Sequence, residues 1–218
     1  MNIKELSQMF KVIGEGFAPT VSVFFITIVF SLILGLFVSF ASNSKNFILR
    51  PITRGYVFLM RGTPLMLQLF FIYFGLPYIP VIGPYLKMDR FTAASVAFVL
   101  NYAAYFCEIF RGGLLSIDKG QYEAAKVLGM NKFQTMTKIV LPQMFKVTLP
   151  PVANETITLV KDTALISVIG ILDLLAKAKQ QVISRVDVTP FIVVAIFYLV
   201  IIFVLTKVFA KLEKKFAF

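Results

Sequence analysis

Asn101 and Glu108 lie seven positions apart, and so do Glu155 and Asp162. Seven residues are two helical turns, so each pair shares one helix face. Both pairs fall in apolar surroundings, where inserting a charged side chain into a bilayer costs roughly 2.5–3.5 kcal/mol. Acids so placed face a cavity or a partner, and their chemistry is the binding of positive charge. Asn101, Thr163 or free backbone N–H groups would then hold an anionic group of the same ligand, with Lys161 adjacent. Gln68, one turn past Pro64, and Ser22 are further candidates for the pocket wall. A structural role competes with this one. Glu108 has Arg111 one turn on, and Lys161 as a second possible partner, so the acids could tie helices together. The hydroxyls of Thr20, Ser22 and Thr27 commonly bond their own helix.

Covalent chemistry has no candidates. The chain has no His, and Cys107 is its only Cys, which excludes an intrachain disulfide, a Cys/His metal site and a His-based triad. No G-x-x-x-x-G-K-[ST] loop occurs, so the chain is not an ATPase. The expectation is a non-enzyme that binds neither metal nor cofactor.

The elements that must position these residues are written in hydropathy. Hydrophobic residues make up 58% of the 218 and charged residues 15%. Soluble domains run about 45–50% and about 25%. The net charge of +11 is better explained by an anionic membrane face than by nucleic acid. Four uncharged runs are bracketed by Glu15 and Lys45, Arg61 and Lys87, Arg90 and Glu108, and Asp187 and Lys207. Each is long enough for a spanning helix, which needs about 17–25 residues. A fifth apolar region, roughly 145–172, is interrupted by Glu155, Lys161 and Asp162. The first run is too long for a signal-peptide core and lacks a basic segment directly before it, so it is expected to remain as a helix. Ahead of it, Ile3, Leu6, Phe10, Ile13 and Phe17 form one apolar stripe. That pattern predicts an interfacial amphipathic helix over 1–16. Residues 172–185 predict an amphipathic external helix. Thirteen Lys and Arg fall on the side of the 119–138 segment and the C-terminus, and seven on the other. The N-terminus is therefore expected outside and the C-terminus in the cytoplasm.

Between the third and fourth spans lies a polar knuckle. Asp118 can cap a helix start, with Gln121 three residues on, and Asn131 with Gln134 repeats the pattern. Gly129 is placed as a left-handed stop, and Pro142 as the end of the second helix or the start of the next span. Pro150-Pro151 should bend the fourth span or start it afresh.

This knuckle, Glu123-Ala124-Ala125 followed by Gly129 and "IVLPQ", resembles the EAA loop of ABC importer permeases. The resemblance extends to "RGTPLMLQLFFIYFGLP" (61–77), "AAYFCEIFRGGLLSIDKGQYEAAKVLG" (103–129) and "LVKDTALISVIG" (159–170), with Ala164 where the family often has Ser. Together these are similar to the histidine/glutamine/arginine type of polar amino acid permease over nearly the whole chain. The resemblance implies an all-α membrane protein: a single permease domain, 1–218, with the five transmembrane helices of the type I importer core. It also implies a cytoplasmic EAA coupling loop over 116–141, whose Glu123, Ala124, Ala125 and Gly129 dock on an ATPase subunit. The implied partners are a second permease subunit, identical or a sister, two ATP-binding subunits carrying ATP and Mg, and an extracytoplasmic amino acid binding protein. The substrate is then a polar or cationic amino acid, the excess of buried acids favouring a cation. The alternatives are a stand-alone secondary transporter or channel for a cationic solute, whose inverted repeats are not found, and a non-transporting scaffold.

Overall fold

The computed structural model describes residues 3–216, which are helical without any strand. Helix α1 spans Ile3–Gly14, with Glu5 in its first turn and Lys11 in its last, as the helix dipole favours. Met9 and Ile13 are fully buried and Leu6 and Phe10 pack beside them, whereas Ile3 is 84% exposed and Phe17 starts the next helix. The stripe is thus narrower than expected and rests on protein. It packs on Leu174 and Ala178 of α9 (Leu174–Arg185) and on Val193 and Val194 of α10 (Thr189–Phe216). Lys177 closes this collar with an ion pair to Glu15 at 2.6 Å, a hydrogen-bonded contact that holds the Glu15 carboxyl below its usual range.

Helix α2 (Phe17–Ser42) buries its small and hydroxyl residues, Thr27, Ser31, Gly35 and Ser39 at every fourth position. Phe25, Phe30, Ile33 and Phe37 face outward. That inversion suits lipid: helix pairing in a bilayer relies on close approach at small residues. The close partner is α5 (Arg90–Leu115). A Cβ at Gly35 would stand 2.8 Å from that of Phe106 and 2.9 Å from the Ala103 carbonyl. Asp89 starts α5 by accepting from the Phe91 and Thr92 amides.

The stretch after α2 forms helix α3 (Leu49–Gly62), which turns Val57 onto Ala104 and Cys107 and carries Arg50, Arg54 and Arg61. In the second apolar run the helix begins after Pro64, and Gly75 and Pro77 fall where its outer end breaks up. Pro64 caps α4 (Leu65–Phe70), which continues as a π turn (Phe71–Gly75) and a 3-10 turn (Leu76–Tyr78). Proline lacks the amide donor and restrains the residue before it, so the chain breaks at Thr63-Pro64. There α3 and the 65–78 segment meet at 107°. Among the described residues, three helical segments, Ile3–Ser42, Arg90–Leu115 and Thr189–Phe216, are long and apolar enough to cross a membrane, or four if the bent pair counts as one span.

The knuckle is α6 (Lys119–Val127), an elbow at Gly129 with φ +72°, and α7 (Lys132–Thr135), started by a full capping box of Asn131 and Gln134. Asp118 caps α6 through the Gly120 amide and forms no box; Gln121 Oε1 instead accepts from Gln143 Nε2 at 3.2 Å. Pro142 does not end α7 but stands in the first turn of the next long helix, the other of the two expected placements. A π turn (Met136–Val140) leads straight into α8 (Leu141–Asp162), the extra residue absorbing the missing amide. Nor do Pro150 and Pro151 restart the chain, since α8 runs through both. A 3-10 segment (Thr163–Ile169) and Gly170, φ +81°, then lead to Asp173. Asp173 is fully buried and caps α9 through the Ala176 amide, 2.8 Å; burial pushes its carboxyl up to about 6.

Candidate functional site

Tyr102 is the thirteenth of the 26 residues of α5, and its hydroxyl donates to Asp162 Oδ2 at 2.7 Å. The ring is fixed by its neighbours on the same helix, Phe98 at 6.4 Å and Phe106 at 6.3 Å between centroids. Glu155 is half-buried two turns before Asp162 on α8 and has no ion pair within 4 Å among the described residues. From Tyr102 the polar path runs one turn along α5 to Tyr105, 6.1 Å away. Arg61, from the end of α3, lies over that ring at 5.3 Å. Glu108 follows, about 9 Å from Tyr102 along the axis. Arg111 grips Glu108 with two hydrogen bonds, 2.9 and 2.7 Å, and Arg61 adds a looser contact at 3.6 Å.

The other expected site residues are placed differently. Asn101 is 4% exposed, and its amide nitrogen donates to the Met60 carbonyl and Gln68 Oε1, both at 3.0 Å. Gln68 donates back to the Met60 and Thr63 carbonyls at 2.9 and 3.1 Å and to Thr63 Oγ1 at 2.8 Å. The two amides brace the α3–α4 bend against α5; they are not brought to Asp162. Thr163 is fully buried with its hydroxyl on the Val160 carbonyl. Lys161 and Ser22 are exposed, Ser22 on the side of α2 away from α5. Glu108 is paired with Arg111 and, more loosely, with Arg61. Tyr102, Tyr105 and Arg61 were missed. The i, i+3 spacings from Tyr102 to Tyr105 and from Tyr105 to Glu108 make each pair neighbours on α5 and were available as a signal. Arg61 had none, because it arrives from another helix.

At the elbow, Ala125 is buried while Glu123 and Ala124 are exposed. Val127, Leu128 and Phe133, each at least 75% exposed, form an apolar tip around Gly129. A hollow of about 630 Å³ lies beside it, lined by Tyr122, Lys126, Met130 and Lys132 among others.

Comparison with known proteins identifies the family. Residues 28–218 match the family model described as "Binding-protein-dependent transport system inner membrane component". The arginine transport system permease protein ArtQ of Bacillus subtilis strain 168 is 40% identical over 205 residues, covering 92% of this chain and 90% of that one. The putative glutamine transport system permease protein GlnP of Rickettsia conorii is 36% identical over 214 residues, covering 98% and 96%. A crystal structure of an amino acid ABC transporter with histidines superposes with a TM-score of 0.87 at 30% identity, covering 99% of each chain. The chain therefore belongs to the inner-membrane components of binding-protein-dependent transport systems, among the amino-acid ABC transporter permeases.

Proposed function

We propose that this permease carries cationic amino acids, and that Glu155 and Asp162 hold the positive groups of the substrate as it passes α5. The observation behind this is the half-buried Glu155, unpaired and two turns from an Asp162 that Tyr102 orients at the midpoint of α5. Two acids about 10 Å apart on one helix face suit a substrate with two positive groups better than a neutral one. The likeness to an arginine permease supports the same class.

In this reading five spans, formed by α2, the 65–78 segment, α5, α8 and α10, make the importer core. Helix α1 lies at the outer interface, and α6, Gly129 and α7 form the cytoplasmic coupling loop. Glu123, Ala124 and the apolar tip seat in an ATPase subunit, which binds ATP and Mg and does the hydrolysis. Two permease subunits, identical or sister, two ATPases and an extracytoplasmic binding protein complete the transporter. The N-terminus is outside and the C-terminus inside.

The test is uptake by Glu155→Gln and Asp162→Asn permeases, reconstituted with their ATPase and binding protein, using arginine, lysine and glutamine. Losing one charged partner costs about 2–5 kcal/mol. Uptake of the cations should fall at least about 30-fold at low concentration. Wild-type half-saturation in both variants would mean the acids are structural.

A further inference from the structure

An amino acid carries a carboxylate beside its ammonium, so a path lined by acids must also offer that carboxylate a donor. The side chains expected to do so are committed elsewhere. The Asn101 amide bridges Met60 and Gln68, and the buried Thr163 hydroxyl rests on Val160. Among the described cations, Arg111 is held by both oxygens of Glu108, and Arg90 binds the Gly170 carbonyl at the far end of α5. Lys161 is one position from Asp162 on α8, and adjacent helical residues do not face each other.

Arg61 is different. Its one ion pair is a 3.6 Å contact to a Glu108 oxygen that Arg111 already holds at 2.7 Å. Its side chain is 43% exposed. The guanidinium lies over the Tyr105 ring at 5.3 Å, and that ring is 6.1 Å from Tyr102, the donor to Asp162. A permanently charged fork of N–H groups thus stands on the same path, one helical turn nearer the elbow than the Tyr102–Asp162 pair. Such a fork matches a carboxylate in two-point geometry.

We propose that Arg61 binds the α-carboxylate of the transported amino acid while Glu155 and Asp162 hold its positive groups. This rests on the substrate reading of the two acids given above. Substrate arrival exchanges a long, exposed contact with Glu108 for a direct one with the substrate. Glu108 is not left bare, because Arg111 stays on it. The path then discriminates between an amino acid and a plain amine of the same size, which the two acids alone would not do.

The experiment is equilibrium binding to the purified permease–ATPase complex without binding protein. Arginine is compared with agmatine, which lacks only the carboxylate, and glutamine with 4-aminobutanamide. In the wild type, arginine should bind about 30-fold more tightly than agmatine. Arg61→Gln should bring arginine down to the affinity of agmatine and leave agmatine unweakened, and Arg61→Lys should restore part of the ratio. A structural Arg61 would weaken both ligands alike and keep the ratio, which overturns the proposal. Tighter binding of both to Arg61→Gln overturns it too, since Arg61 would then be a tethered competitor. Should Arg61→Gln fail to assemble, a wild-type ratio of one, or an unchanged ratio in Arg61→Lys, overturns it. If glutamine binds and arginine does not, the cation reading of the acids fails, while the glutamine pair still tests Arg61 separately.

Discussion

Asn101→Ala separates a structural amide from a ligand, because the structure lets its cost be worked out. The substitution removes hydrogen bonds to the Met60 carbonyl and to Gln68 Oε1. Side-chain hydrogen bonds within bilayers are worth about 0.6 kcal/mol each, so their direct loss is about 1 kcal/mol. The Met60 carbonyl keeps its bond from Gln68 Nε2 at 2.9 Å, but Gln68 Oε1 loses its donor in a residue only 7% exposed. Stranding a buried acceptor adds about 1–3 kcal/mol. The total, about 2–4 kcal/mol, corresponds to a fall in Tm of roughly 5–15 °C for a chain of this size. Thermal unfolding in detergent reads that shift, and transport assays below the transition read half-saturation, which should stay at the wild-type value. A wild-type Tm with a raised half-saturation would refute the bracing role and make Asn101 a ligand after all.

Asp173→Asn should stabilise the protein at pH 7.5. Burial raises the Asp173 pKa from 3.8 to about 6, so the folded state keeps a proton that the unfolded state has already released. Stability therefore falls as pH rises from about 4 to 6, by about 3 kcal/mol for two units. The variant should lose that slope, and an unchanged Tm–pH profile would disprove the assignment. At the elbow, a Cβ added at Gly129 would meet no atom within 4 Å, so the main cost of Gly129→Val is the left-handed backbone, about 1–2 kcal/mol. Membrane insertion should be normal while ATP-driven uptake drops; full coupling in this variant would remove the elbow from the mechanism. In a Cys107→Ser background, impermeant thiol reagents should label cysteines at 132 and 214 only from the cytoplasm and one at 179 only from outside. External labelling at 132 would invert the topology.

Hydropathy runs, capping residues and the left-handed glycine are local signals, and the chain displays them openly. The apolar runs that became α2, α5 and α10, the capping box at Asn131 and the turn at Gly129 needed no knowledge of neighbours. The Glu123-Ala124-Ala125 motif likewise identifies the family from the linear order alone. Failures came where a second helix decides. A charged stretch after α2 reads as a loop until Val57 finds Ala104 and Cys107, which pack it as a helix. The prolines of α8 look like breaks, yet its packing against α5 and α10 keeps the helix continuous. Asn101 reads as a pocket residue until Met60, 41 positions earlier, takes its amide. Tyr102 shows no function until Asp162, 60 positions later, comes within 2.7 Å. Periodicity tells which residues share a face of one helix. Only the packing of helices against each other decides which polar groups are used up in holding the bundle and which are left to face the path.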